Sequence, residues 1–130
     1  QSLCMKVKKK QKTSSWYRKE CVKVAKKIVR IRDKNVCQKC GRNQGALHCS
    51  HVYPEGTYHS LSAEPLNMKL LCYRCHFFWW HKDILEAKDW FQKKFPDRYT
   101  ILKKLSRMNI KVDWAKRLVK LKKEYDTLQD

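Results

Sequence analysis

Apolar residues recur at helical spacing near both ends of the chain. The first stripe consists of Tyr17, Cys21, Val24, Ile28 and Ile31. Because lysines occupy the opposite face, we expect a helix from about residue 15 to residue 32, with Ser14 or Ser15 as its N-cap. The second stripe, which follows the candidate N-cap Asp113, consists of Trp114, Leu118, Leu121, Tyr125 and Leu128. This stripe must cover either the protein's own core or a second subunit, which leaves a homodimer open.

The middle of the chain has shorter apolar segments separated by turn-forming residues. Residues 46–53 alternate between apolar and polar positions, as a half-buried strand does, and residues 68–72 (MKLLC) form a second short strand. Residues 54–66 contain two prolines and one glycine, which predicts a long loop between the strands.

A longer helical pattern follows the second strand. It begins at Tyr73, breaks near Lys82 and ends before Pro96, and a short helix is expected at about 97–107. Two strands flanked by helices predict the α+β class.

Length and composition favour one domain. The chain has 130 residues with only three glycines and three prolines, so no flexible linker is expected. Residues 1–13 carry five lysines and no acid and predict a basic disordered arm, followed by a single domain at 14–130 with its core at 34–95. The sequence has neither an apolar run of about 18 residues nor a signal peptide, so we expect an intracellular protein, not secreted and not bound to a membrane.

The net charge of +19 is concentrated on the two flanks of the chain. Residues 1–36 hold 13 Lys and Arg against two acids, residues 37–97 hold eight against six, and residues 98–130 hold ten against four. Such flanks suit a polyphosphate partner, although a solubilising surface or an anionic membrane is the alternative. The candidate nucleic-acid contacts are Lys8, Lys9, Lys10, Lys23, Lys26, Lys27 and Arg30.

The four aromatic residues at 77–80 (FFWW) cover most of the circumference of their helix. We expect this helix to be packed on both sides. With a nucleic-acid partner, the alternative is that one ring wedges between base pairs.

Four of the seven cysteines form two C-x-x-C pairs, namely Cys37 with Cys40 and Cys72 with Cys75. Two such pairs favour a structural Zn²⁺ site, because each pair delivers two thiolates from one tight turn. Gly41 suits the backbone of the first turn. The zinc would then clamp the base of the hairpin. A redox pair is the alternative, but the chain lacks a thioredoxin-like βαβ pattern.

Three polar residues stand at the ends of the predicted strands and helix. His51 ends the first strand within HVYP, Asn67 opens the second, and His76 follows the second cysteine pair. Together with RIRDKNVCQKCG ahead of them, they resemble the HNH (ββα-metal) endonucleases over about residues 30–82. The stretch LLCYRCHFFWWHKDILEAKDWFQKKFPDRY is similar to phage NinG-type recombination nucleases and extends the resemblance to about residue 100.

The resemblance implies a zinc-clamped ββα-metal core and a role for each of these residues. His51 would be the general base that deprotonates the attacking water, for which an imidazole with an ordinary pKa of about 6.5 is suited. Asn67 would hold His51 in position. His76 would bind one divalent cation, Mg²⁺ or Mn²⁺, that contacts the scissile phosphate, and the products would carry a 5′ phosphate and a 3′ hydroxyl.

Two features depart from the family pattern. The family usually places a metal-binding Asp or His before the base, where this chain has Ser50. His48 lies on the same strand face and is a candidate replacement ligand. On the helix, His81 lies five residues after His76, which is about 140° around a regular helix, whereas a single π-type turn would bring the two into line.

The leading hypothesis is therefore a metal-dependent DNA endonuclease of the HNH class. The NinG similarity implies action on branched or recombination DNA in the cytoplasm of a bacterial host. A zinc-stabilised DNA- or RNA-binding protein without catalysis is the main alternative, and RNA cleavage is another.

Overall fold

The computed structural model describes residues 11–129, which fold as a mixed α+β structure. The helices are α1 (Ser14–Arg32), α2 (Tyr73–Cys75), a π-helical segment that continues α2 (His76–Trp80), α3 (Ile84–Lys94), α4 (Pro96–Ser106) and α5 (Trp114–Gln129). The strands are β1 (Leu47–His51) and β2 (Met68–Cys72). The predicted contacts Lys8, Lys9 and Lys10 lie outside the described residues.

The two strands pair antiparallel, from Leu47 opposite Cys72 to His51 opposite Met68. The first strand is shorter than predicted and stops at His51. The reason is that Tyr53 N–H, two residues after His51, donates to the side chain of Asn67 and not to a strand partner.

The sheet separates two groups of buried apolar side chains. On one side it packs against α1, which in turn packs against α5, and the buried residues there include Cys21, Ala25, Val29, Leu118 and Leu121. On the other side lie the π-helical segment, α3 and α4, with Leu71, Trp80, Ala87, Phe91 and Leu102. The apolar stripe of α5 thus covers the protein's own core, so it gives no separate support to a homodimer.

Two local predictions about the helices were wrong. The N-cap of α1 is Thr13, whose Oγ1 accepts a hydrogen bond from Trp16 N–H at 3.1 Å, so the helix begins one residue earlier than expected. The FFWW helix is packed on one side only. Trp80 is buried, but 45% of Phe77 and 59% of Phe78 is exposed, because no described element covers that side.

The other predicted helix boundaries are confirmed to within about two residues. Asp113 Oδ1 accepts from Lys116 N–H at 3.2 Å, as expected for the N-cap of α5. Among the described helices, none combines the length and the apolar character needed to cross a bilayer.

Candidate functional site

The four predicted zinc ligands come together at one end of the hairpin. The sulfur atoms of Cys37, Cys40, Cys72 and Cys75 all lie within 4.8 Å of one another. Cys40 Sγ and Cys72 Sγ are 3.7 Å apart. A tetrahedral zinc with Zn–S bonds of about 2.3 Å places its sulfurs about 3.8 Å apart, so this cluster can hold Zn²⁺.

The backbone of the first cysteine turn is folded as a metal knuckle requires. Gly41 has a φ of +79°, a conformation that glycine adopts without strain, and its N–H donates to Cys37 O at 2.9 Å. Burial by itself would raise the pKa of Cys37, but backbone N–H groups of Cys40, Cys72 and Lys39 lower it to about 7. Burial and neighbouring thiols raise the pKa of Cys75. Four thiols crowded together in this way are stabilised as thiolates by a cation.

A second set of side chains surrounds a cavity of about 360 Å³ between the end of β1 and the π-helical segment. His51, His76 and His81 line it, together with Lys26 and Trp80. The structure thus brings the predicted general base and two predicted cation ligands to one cavity.

The hydrogen bond of His51 determines which ring nitrogen carries its proton. His51 Nε2 lies 2.9 Å from the carbonyl oxygen of Ser62. A carbonyl can only accept, so Nε2 donates, and the neutral ring keeps its lone pair on Nδ1. Glu55 Oε2 is 3.9 Å from the same Nε2, which is too far for a hydrogen bond. His51 is therefore held as the tautomer in which Nδ1 can accept a proton.

Asn67 is fully buried and ties the loop to the start of β2. Its Oδ1 accepts from Tyr53 N–H at 2.8 Å, and its Nδ2 donates to Tyr53 O and to Leu61 O, both at 3.0 Å. Leu61 directly precedes Ser62, the residue whose carbonyl binds His51. Asn67 thus fixes the backbone at Tyr53, two residues after His51, and at Leu61, next to the carbonyl that His51 contacts.

The π-type turn that would align His76 with His81 is present. His81 N–H donates to His76 O at 3.1 Å, five residues back, and the two Nε2 atoms are 3.0 Å apart. Two nitrogens that bind one cation at right angles, with bond lengths of about 2.1 Å, lie about 3.0 Å apart. A hydrogen bond from one imidazole N–H to the other imidazole gives the same distance. Burial, and then the charges of His81 and His48, lower the pKa of His76 to about 4. His76 is therefore neutral at physiological pH, as a metal ligand must be.

His48 contacts His76 from the other side. Its Nδ1 lies 3.0 Å from Nδ1 of His76, while the face of His76 towards the cavity presents Nε2. His48 thus orients the ring of His76, and in this arrangement its own Nδ1 does not converge with the Nε2 atoms of His76 and His81.

Ser50, at the position where a further ligand was expected, is buried and engaged elsewhere. Lys69, its partner across the sheet, donates from Nζ to Ser50 Oγ at 3.0 Å and lies over the ring of Trp80. Lys69 is completely buried, and that burial lowers its pKa well below the ordinary value. Lys69 was not among the predicted site residues, although a lysine on a strand that is otherwise apolar was the available signal.

The predicted nucleic-acid contacts of α1 differ in their surroundings. Lys26 is exposed and lines the cavity. Lys23 pairs with Glu20 at 3.0 Å, and Lys27 lies over the ring of Tyr125. Arg30 donates to the carbonyl of Leu47 at 3.2 Å and so helps to dock the helix on the sheet.

Comparisons with family models, curated proteins and solved structures give no match to this chain.

Proposed function

We propose that the protein is a metal-dependent DNA endonuclease of the HNH class. The observation that carries the proposal is the cavity at the end of β1, which His51 lines together with the pair His76 and His81. His51 presents a nitrogen lone pair, and the other two histidines present nitrogens 3.0 Å apart. The cysteine cluster, which can hold zinc, anchors the hairpin that carries this set.

In this proposal His51 acts as the general base. Its Nδ1 takes a proton from the attacking water, while Nε2–H stays bonded to Ser62 O and stabilises the positive charge that develops on the ring. His76 and His81 would hold the divalent cation, with His48 orienting His76. When bound, that cation would neutralise charge on the scissile phosphate and stabilise the leaving 3′ oxygen.

The nitrogen donors bear on which cation is used. Imidazole binds first-row transition-metal ions more readily than Mg²⁺, which prefers oxygen ligands in near-ideal octahedral geometry, although Mn²⁺ stands lowest in the affinity order of those ions. With two histidines as protein ligands, we expect Mn²⁺ to support more cleavage than Mg²⁺.

DNA is the proposed substrate because of the charge of the chain. The net charge is +19, and Lys26 stands at the edge of the cavity. Lysines contact phosphates and carry little sequence information, so binding should weaken steeply with salt, by about 0.9 log units per log unit for each phosphate neutralised on duplex DNA. Branched recombination intermediates, in a phage-infected bacterial cell, are the substrate that the NinG similarity suggests.

The test is cleavage of supercoiled plasmid and of a synthetic four-way junction with Mn²⁺ or Mg²⁺. His51→Ala should lose about 10²- to 10⁴-fold in rate and still bind DNA. His59→Ala is the matched control, because His59 is exposed in the loop, and it should cleave as the unaltered protein does. Cleavage that survives in His51→Ala would contradict the proposed base.

One observation favours a second candidate, a zinc-stabilised nucleic-acid-binding protein without catalysis. Ser50 is sealed by the buried Lys69, so the position before the base offers no ligand to a cation. Tight, salt-dependent DNA binding without cleavage by any divalent cation would select this candidate.

A further inference from the structure

Three large aromatic side chains form an exposed patch beside the candidate site. They are Tyr73, Phe77 and Phe78, which we call the aromatic patch, and their exposed fractions are 58%, 45% and 59%. The ring of Tyr73 contacts those of Phe77 and Phe78, with centroids 5.0 and 5.9 Å apart. Contiguous exposed aromatic surface of this kind marks an interaction site in a folded protein.

Packing of the fold does not account for these rings. The same helical segment buries Trp80 and partly buries Trp79 against α3, and that side alone contributes to the core. Phe77 and Phe78 lie on the opposite side, where Phe77 contacts only the edge of the sheet, through His48 of β1 at 5.5 Å between ring centroids, and both rings stay largely exposed.

The charge around the aromatic patch is positive. Two shallow depressions adjoin Phe78, and the cations that line them are Arg42, Arg74 and Lys39. No carboxylate of residues 11–129 lines either depression. Aromatic ring faces bordered by cations match a single-stranded nucleic acid, whose bases stack while its phosphates pair with the cations.

The aromatic patch also adjoins the candidate cation ligands. The ring of Phe77 is centred 4.5 Å from that of His76 and 6.0 Å from that of His81. A strand whose bases lie on Tyr73 and Phe78 would therefore have phosphates within a nucleotide or two of the cavity.

We propose that the aromatic patch stacks on unpaired bases of DNA next to the phosphate that is cleaved. Base faces are accessible only where strands are unpaired, as in single strands, flaps and opened junctions. The inference rests on the proposed nuclease function and narrows its substrate to DNA with unpaired nucleotides beside the scissile bond.

Binding measured without added divalent cation tests the aromatic patch separately from catalysis. The probes are a labelled 20-nucleotide oligo-dT and a 20-base-pair duplex, followed by fluorescence anisotropy with the zinc-loaded full chain. Phe78→Leu removes the ring face and keeps an apolar side chain, and Phe78→Tyr keeps the ring. Val119→Ala is the matched surface control, because Val119 is 55% exposed on α5.

We expect Phe78→Leu to bind oligo-dT about tenfold more weakly, the loss typical of one stacked base. Its duplex affinity should stay within about twofold of the unaltered protein, and Phe78→Tyr and Val119→Ala should bind both probes normally. A 2-aminopurine base in the oligonucleotide should change its fluorescence when it stacks on the unaltered protein, and this change should be lost with Phe78→Leu.

Equal losses on both probes, or no loss on either, would overturn the proposal. If Phe78→Leu loses affinity for neither probe but changes from dimer to monomer in sedimentation, the aromatic patch would be assigned to self-association. If the selective loss is found but the protein cleaves no DNA, the patch is supported and the nuclease proposal fails, so the two failures are distinguishable.

Discussion

Replacement of Asn67 is the sharpest test of how the loop holds His51. The carboxamide is fully buried, and it makes one bond as acceptor and two as donor, all to backbone groups. Asn67→Asp keeps the shape and the accepting oxygen. It turns the donor nitrogen into a second oxygen that faces the carbonyls of Tyr53 and Leu61.

The size of the effect follows from these three bonds. Asn67→Ala leaves Tyr53 N–H and Tyr53 O without their partner, whereas Leu61 O still accepts from Glu64 N–H. At about 1–3 kcal/mol for each of the two groups left unsatisfied, a loss of about 2–6 kcal/mol is expected. The introduced aspartate must be protonated to donate to either carbonyl, which raises its pKa in the folded protein.

A raised folded pKa makes the variant lose stability as pH rises. The unfolded aspartate has a pKa of about 3.9, so each pH unit above it costs the folded, protonated form about 1.4 kcal/mol. Between pH 5 and pH 7, the unfolding free energy of Asn67→Asp should fall by about 2–3 kcal/mol relative to the unaltered protein. Urea unfolding at both pH values measures this difference, and subtraction removes the contribution of the zinc site.

The matched control is Asn109→Asp, which makes the same change of charge at an exposed position between α4 and α5. It should show no offset that grows with pH. A constant offset for Asn67→Asp at pH 5 and pH 7 would refute the assigned hydrogen bonds. If the variant is destabilised as expected but cleaves DNA with an unchanged kcat, Asn67 supports the fold without positioning His51.

Three further predictions use the zinc cluster, His76 and Lys69. We expect the cysteine cluster to hold zinc, so a chelator, or Cys72→Ser, should abolish the cooperative thermal transition, because zinc-binding free energies of about 10–16 kcal/mol equal or exceed the stability of a typical domain. A protein that melts normally after treatment with a chelator would contradict this. The lowered pKa of His76 means that the unfolded state binds its proton first, so the unfolding free energy should fall as pH drops from about 6.5 to about 4. His76→Gln should remove that part of the slope, and an identical slope in the variant would refute it. Lys69→Met should leave the unfolding free energy at pH 7 unchanged or raise it by up to about 2 kcal/mol. The reason is that an apolar chain replaces a buried amine that has no directly paired carboxylate. A loss above about 3 kcal/mol would show instead that Lys69 stabilises the fold.

Those parts of the fold that depend on local pattern could be predicted from the sequence. The apolar stripes of α1 and α5, and the short apolar run of β2, gave element boundaries close to those observed. The cysteine cluster followed from the spacing of the two pairs, because a C-x-x-C turn allows little freedom in where its sulfurs point.

Contacts that involve the backbone or a single buried polar group left no such pattern. The tautomer of His51 is fixed by the backbone carbonyl of Ser62. Because every residue has a backbone carbonyl, this contact carries no signal in the sequence. Lys69 stands out as the one charge in an apolar run, but periodicity alone does not distinguish a buried lysine from an exposed one. The exposure of Phe78 depends on which elements pack against its helix, and that is decided by the tertiary fold.

The spacing of His76 and His81 shows how an irregularity in the sequence can predict an irregularity in the structure. Five residues in a regular α-helix would point the two side chains about 140° apart. Both could bind one cation only if one additional residue were accommodated in the turn. The hydrogen bond from His81 N–H to His76 O closes such a turn. π-type turns are rare and are frequently found at functional sites. Phe77 lies within the same turn, with its ring centred 4.5 Å from that of His76 and 6.0 Å from that of His81, so the turn that brings the histidines together also carries part of the aromatic patch.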